Sequence, residues 1–349
     1  MRVVIIGGGI MGCASAEALA LRGAEVVLLE RAVPGAEASS AAAGILGAQV
    51  ESHAAPDLRE TFVAARELYP SWSAALREAT GLDIGYRKSG VLRLAFDDAD
   101  RATLKAEVRA HNDEGLSASL LDGDDVARVE PAVSRPLGAA HFPDDAQVDP
   151  RALLRALVAH IARLSVTQRS GSLVRSLLVE RDVCRGVVLD AGPLEADAVV
   201  LAAGSWSSLI AGIPGSLPTV TPARGQIVHL EERPPKVSSI VFGPSGYVVP
   251  RGDGRVLCGS TLEHVGFHNE VTAGGVGSIL ARAIELVPHL AGAAFAGAWA
   301  SFRPQSSSDR PLVGASSMKG LFLATGHHRN GILLAKHSAE RVADAVLGQ

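Results

Sequence analysis

The sequence predicts an α/β fold: a nucleotide-binding domain built from several chain segments around a parallel sheet, interleaved with an α+β domain whose sheet is mainly antiparallel. Three observations predict it. The first thirty residues run as buried strand, glycine turn, helix and second buried strand, which is a βαβ unit. Similar apolar runs recur near residue 200 and at 320–325, so parallel-sheet segments lie at both ends of the chain and in its middle. The segments between them alternate apolar and polar residues or join through tight turns, as antiparallel pairs do. The expected division gives 1–84, 144–218 and 299–349 to the nucleotide-binding domain, and 85–143 and 219–298 to the other.

Taken in order, Val3 to Ile6 is apolar and β-branched, the look of a strand covered on both faces. Gly7 to Gly12 turns the chain, Cys13 to Arg22 is an Ala/Leu helix stopped by Gly23, and Val26 to Leu29 is a second strand ending in Glu30. Glu37 to Val50 is rich in Ala, Ser and Gly and too small-residued to build a core. Leu58, Phe62, Ala65, Leu68, Trp72 and Leu76 fall at helical spacing, with a break at Pro70. Val91 to Phe96 reads as a strand and Asp97 to Glu114 as a charged helix. Asp149 caps a helix over 151–164 with Pro150 in its first turn. Val187 to Gly204 reads as strand, turn, strand. Residues 226–230, 246–250 and 255–260 form an antiparallel group whose 251–254 turn closes a hairpin. Residues 272–287 are a helix, 320–325 the last buried strand, and 326–331 lead into a closing helix ending at 347.

A chain of 349 residues buries a core without staples, and 47% apolar with 20% charged residues excludes a disordered or fibrous protein. Thirty-three Lys and Arg against 37 Asp and Glu give a net charge of −4 with no basic run, which argues against nucleic acid or an anionic membrane as partner. Cys13, Cys184 and Cys258 are far apart and in no CxxC spacing, so free thiols in a cytoplasmic, reducing setting are expected, with no metal site. The chain starts with no secretory signal pattern. The uncharged stretch 198–223 is broken by Gly204, Pro214, Gly215 and Pro218, so it is read as a run of short pieces and not a membrane span.

Gly7, Gly9 and Gly12 fit GxGxxG directly after a strand and opening a helix, the Rossmann-like fingerprint of dinucleotide binding. Gly7 permits the tight turn, Gly9 lets backbone approach a pyrophosphate, and Gly12 lets the helix pack close to the sheet. The helix N-terminus then faces the phosphates. Glu30 ends the second strand where a carboxylate accepts from a ribose hydroxyl, and an acid there disfavours a 2′-phosphate. A glycine turn that binds nothing is the plainer alternative. The fingerprint alone does not choose between FAD and NAD. The run from Ser39 to Leu46 would let backbone amides approach a cofactor closely, or would simply be a tightly packed helix.

The order of 40–49, Tyr247-Val-Val-Pro250, Phe302-Arg303-Pro304 and 326–334 resembles the glycine oxidases of the FAD-dependent D-amino acid oxidase and sarcosine oxidase superfamily, over essentially the whole chain. The resemblance implies an FAD-binding Rossmann-like domain and a substrate domain. It implies non-covalent FAD, because no Cys lies near Arg303 or in the closing segment. By position it implies that Ile10 and Met11 lie on the pyrophosphate turn and Glu30 and Arg31 by the adenosine, with Val174 holding the adenine. Ala38, Ser39, Ser40, Ala43, Gly44 and Ile45 line the approach to the flavin, together with Gly204. His327, His328, Arg329, Asn330, Gly331, Ile332 and Leu333 wrap the pyrimidine edge. The residues support the last assignment on their own, since a helix starting near Gly331 would bring positive potential to the flavin's N1 and C2 carbonyl.

Arg303 emerges from an apolar strand and needs a partner, either a substrate carboxylate gripped by its fork or an internal Asp or Glu. The resemblance favours the carboxylate, with Tyr247 as a second donor (or a plain sheet tyrosine) and Arg329 as the further candidate. His328, Leu262 and Ile45 depart from the family's usual aromatic, Met and Met, and all bear on the substrate pocket. The activity implied is FAD-dependent oxidative deamination of glycine or another small amino acid or amine such as sarcosine or D-alanine. Its product is an imine, then an oxo acid, with dioxygen as acceptor giving hydrogen peroxide, in a route that serves thiamine thiazole assembly. An FAD-dependent D-amino acid or 2-hydroxy acid dehydrogenase using another acceptor is the alternative. A redox-silent FAD protein is a third reading, disfavoured by Arg303 and Tyr247. The resemblance favours a homo-oligomer, a tetramer among the options.

Overall fold

The structure is a computed structural model that describes residues 1–348, apart from the side chain of Ala54. Its first sheet has six strands in the order 312–315, 321–325, 198–201, 2–6, 25–29 and 167–169. All pairs are parallel except the first. Arg2–Ile6 lies at its centre, and Val3, Val4 and Ile5 have no exposed surface. Alternation decides what covers each face. Val3, Ile5, Val26, Leu28 and Val200 pack under the helices Ile10–Leu21, Pro150–Arg163 and Gly331–Leu347. Val4, Ile6, Val27, Leu29 and Val199 face the three-stranded antiparallel sheet of 174–180, 183–189 and 192–195.

The second sheet has eight strands in the order 294–306, 220–231, 255–259, 246–250, 240–243, 91–95, 138–142 and 119–122. It is antiparallel except between 240–243 and 91–95. One face packs on the helix Ala273–Leu286 through Val228, Val248, Ile279 and Ala283. The other carries Ile227, Tyr247 and Val249 towards Ala43 and Val50.

Local expectations hold where a strong signal existed. Pro70 sits in the first turn of the helix Tyr69–Thr80, which follows Arg59–Glu67 with Leu68 between them. Asp149 Oδ1 accepts from Arg151 and Ala152 N–H at 2.9 and 3.2 Å, capping Pro150–Arg163. The segment read as two strands over 187–204 is three strands, because a hairpin at 190–191 precedes Ala198–Leu201. The uncharged stretch 198–223 is divided among that strand, a 3-10 turn at Gly204–Leu209 and the start of Val220–Glu231. Among the described residues no helix is long and apolar enough to cross a membrane. The strand Ala294–Ser306 pairs along its length with Val220–Glu231, so the expected domain change at 298/299 falls inside a strand.

Candidate functional site

A cavity of about 550 Å³ runs from the carboxyl ends of the parallel strands to the face of the antiparallel sheet. At its first end, Gly7 has φ +106°, and a Cβ there would lie 2.5 Å from Ala202 O. A Cβ on Gly12 would lie 1.8 Å from Gly7 O, so this glycine is what lets the helix Ile10–Leu21 sit down on the turn. Gly9 is the N-cap and brings no side chain of its own, so the helix N-terminus lies in the cavity wall. Ser39 Oγ accepts from Ile10 N–H at 2.9 Å, tying the small-residue segment to the turn.

Glu30 points back at the same turn. Its two oxygens accept from Gly8 N–H at 2.8 Å and Ala32 N–H at 2.9 Å. A carboxylate has about four acceptor sites, so these bonds fix its orientation and leave capacity for hydroxyl donors. The Arg31 guanidinium stacks 3.8 Å over the Trp206 ring and pairs with Glu37. Val174 opens the strand 174–180 at this end, and Gly204, φ +54°, starts the turn carrying Trp206.

Further in, Ala38, Ser39, Ala43, Gly44 and Ile45 form one wall. Gly44 has φ +75°, and a Cβ there would lie 2.1 Å from Val148 O. Arg251, only 6% exposed, donates to Gln147 Oε1 at 2.6 Å and to Ala43 O, and burial lowers its pKa to about 10. Trp299 Nε1 donates to Ala41 O at 2.9 Å. The opposite wall is the loop from Thr325 to the helix Gly331–Leu347. There His328, φ +48°, donates its N–H to Pro304 O at 2.9 Å. His327 shares a hydrogen bond with Ser338 Oγ at 2.9 Å, and burial drives its pKa to about 3. Burial, helped by the charges of Arg303 and Arg329, puts His328 at about 4, so both imidazoles are neutral near neutral pH.

The far end holds Arg303. Its Nη1 donates to Thr261 O at 3.1 Å and its Nη2 to Ser260 Oγ at 2.8 Å, and among the described residues no carboxylate lies within ion-pair distance. This removes the internal-ion-pair alternative. Burial lowers its pKa, opposed by the neighbouring Tyr247 and Glu51. Gly225, across the sheet, makes the room, since a Cβ there would sit 2.1 Å from Nη1. Tyr247 lies opposite Gly259, whose missing side chain admits the ring. Arg329 is different. Its side chain is 47% exposed and donates to Glu51 Oε1 at 3.0 Å, and Glu51 raises its pKa.

Of the residues expected from sequence, Gly12, Ser40 and Leu333 stand behind the cavity wall, the rest along it. Gly12 is closed off by Gly7, Ser40 Oγ bonds back to Glu37 O at 3.2 Å, and Leu333 is buried in the core. Ile45 and His328 line the cavity, whereas Leu262 is 52% exposed and does not. Sequence reasoning missed Glu51, Gly225, Trp206 and Ser260, all of which line it.

The profile of the FAD dependent oxidoreductase family DAO matches residues 2–345. The chain belongs to this family. The cavity suits the family's cofactor on grounds of its own: Gly7, Gly12 and Gly44 clear the backbone where a Cβ would collide, a helix N-terminus lines it, and a held carboxylate lies beside that turn. The chain is similar to the bifunctional protein ThiO/ThiG of Trichormus variabilis, 35% identical over 353 residues. That match takes 99% of this chain and 53% of the relative, so the chain spans about half the length of that relative. It is also 35% identical over 350 residues to a glycine oxidase of Geobacillus kaustophilus, covering 99% of this chain and 92% of that one. Among solved structures, glycine oxidase from Bacillus cereus superposes with a TM-score of 0.94 at 32% identity, covering 99% and 95% of the two chains. Iminodiacetate oxidase from Chelativorans superposes at 0.91 with 29% identity, covering 100% and 96%.

Proposed function

We propose that the protein is an FAD-dependent oxidase that deaminates glycine or another small amino acid. The observation that carries this is Arg303, a half-buried guanidinium with only neutral hydrogen-bond partners at the far end of a dinucleotide-sized cavity. Its fork takes the substrate carboxylate, and the Tyr247 hydroxyl donates beside it. Gly225 keeps the guanidinium low against the sheet, which holds the substrate's α-carbon towards the middle of the cavity. His327 and His328 are neutral, so the charge this loop brings is that of Arg329, which is paired with Glu51. FAD, when bound, supplies the acceptor for the α-hydrogen as hydride and returns the electrons to dioxygen as hydrogen peroxide. The imino acid then hydrolyses to the oxo acid or passes on to thiazole assembly, a reading supported by the ThiO/ThiG relatives.

The same reading gives 1–84, 144–218 and 299–349 to the FAD domain, and 85–143 and 219–298 to the substrate domain. It assigns the cofactor wall to the residues from Gly7 to Ile332 described above, and a rim role to Arg329. Three free, buried cysteines suit a reducing cytoplasm, and a homo-oligomer is the proposed assembly. The test is the visible spectrum of the purified protein under nitrogen, before and after glycine. Bleaching of a yellow protein, reversed by air, supports the proposal. A flavin that no small amino acid reduces overturns it.

A further inference from the structure

An amino acid presents two groups, and Arg303 answers only one of them. The amine needs a hydrogen-bond acceptor, and the cavity's acidic residues can be sorted by what already occupies them. Glu30 accepts from two backbone amides beside the glycine turn, and Glu37 pairs with Arg31 there. Ser260 Oγ and Thr261 O are taken by Arg303 itself. Glu51 remains. It lines the cavity with its side chain 12% exposed, Oε1 bonded to Arg329 and Oε2 without a hydrogen-bond partner among the described residues.

The turn carrying Glu51 is built to hold still. Asp145, which has no exposed surface, accepts from Gln49 N–H at 3.1 Å and Val50 N–H at 3.0 Å. Arg66, 3% exposed, joins Asp145 Oδ1 at 2.9 Å to Gln49 Oε1 at 3.0 Å. Glu51 N–H itself donates to Gly47 O at 3.1 Å. A buried ion pair with every oxygen used fixes the backbone on which Glu51 stands.

We propose that Glu51 is the amine-recognising residue, its free carboxylate oxygen accepting a hydrogen bond from the substrate's α-amino group while Arg303 holds the carboxylate. This rests on the function proposed above. The site then carries both signs of charge in the arrangement an amino acid carries them. A 2-hydroxy acid or a plain carboxylate brings only negative charge and meets Glu51 as a penalty. Arg329 holds the other oxygen, which keeps Glu51 aimed.

The test uses the FAD-loaded protein with two probes: glycine, and acetate as a carboxylate without an amine, the latter titrated through the flavin spectrum under nitrogen. Glu51→Gln is expected to raise the KM for glycine by about tenfold or more. Acetate binding is expected to stay unchanged or tighten, because a negative charge near Arg303 has gone. Glu51→Asp, which keeps the charge, is expected to fall between Gln and the parent, and Arg329→Gln to leave the glycine-to-acetate ratio closer to the parent's than Gln does. Parallel weakening of glycine and acetate would mark a turn that only supports Arg303, and unchanged values for both would remove Glu51 from the site; either overturns the proposal while the functional reading stands. A parent protein whose flavin no small amino acid reduces sinks both.

Discussion

Gly225→Ala is a small change aimed at the substrate anchor without touching it. Gly225 faces Ser301 in the pairing of 220–231 with 294–306, and the Arg303 side chain lies across it. A methyl group there would stand 2.1 Å from Nη1, 2.4 Å from Cζ and 2.5 Å from Nη2. Comfortable contact begins near about 3.5 Å, so the guanidinium must withdraw by roughly an ångström. That retreat breaks its bonds to Thr261 and Ser260 and lifts the fork from the plane in which it would meet a carboxylate. Misplacing a positioning group by about 1 Å costs on the order of 100-fold, or about 2.7 kcal/mol. The strand itself should gain from losing a glycine, so folding and FAD content stay intact. The assay is kcat/KM for glycine with anaerobic flavin reduction, alongside a melting curve. A variant within about threefold of the parent in kcat/KM would refute the view that Arg303 acts from its observed position.

Other expectations follow from the same geometry. Arg303→Ala should weaken substrate binding by about 2–5 kcal/mol, read as the glycine concentration needed for half-maximal reduction; near-normal binding would place the carboxylate elsewhere. Gly12→Ala puts a Cβ 1.8 Å from Gly7 O, an overpacking worth about 1–3 kcal/mol, and should appear as protein purified with little FAD; full yellow colour would count against the turn's role. Acid should destabilise the fold. Burial lowers the pKa of His111 to about 4 and of His327 to about 3, both well below the unfolded value of about 6.5. Such stability is present above that value and drains away as pH falls towards the folded pKa, at about 2 kcal/mol for each histidine between pH 7 and pH 5. Asp145, raised to about 6 by burial, takes up a proton in the folded state and offsets about 1 kcal/mol of that loss. Melting temperatures at pH 7 and pH 5 would read the net drop, and equal values would contradict it.

The parallel sheet was legible because its strands are buried on both faces and therefore continuous apolar runs, as in Val3–Ile6 and Ala198–Leu201. The break at Pro70 and the cap at Asp149 were legible because each acts within one helical turn. Gly138–Phe142 escaped notice, since Gly-Ala-Ala-His-Phe lacks the β-branched residues that signal a strand and owes its place to partners on either side. Arg303 was legible as a cation in need of a partner, but its freedom from any carboxylate depends on a register invisible in sequence. Glu51 carries no local mark at all. It faces the cavity because Asp145, far along the chain, holds the turn beneath it.

The strand Ala294–Ser306 ends at both halves of the site at once. Phe302 O accepts from Ser205 Oγ at 3.1 Å, Pro304 O accepts from His328 N–H at 2.9 Å, and Gln305 bridges to His327. The residue proposed to grip the substrate and the loop proposed to cradle the flavin are therefore clamped to one length of backbone. The spacing between the two is thus set by a single strand, not by how the two sheets pack on each other.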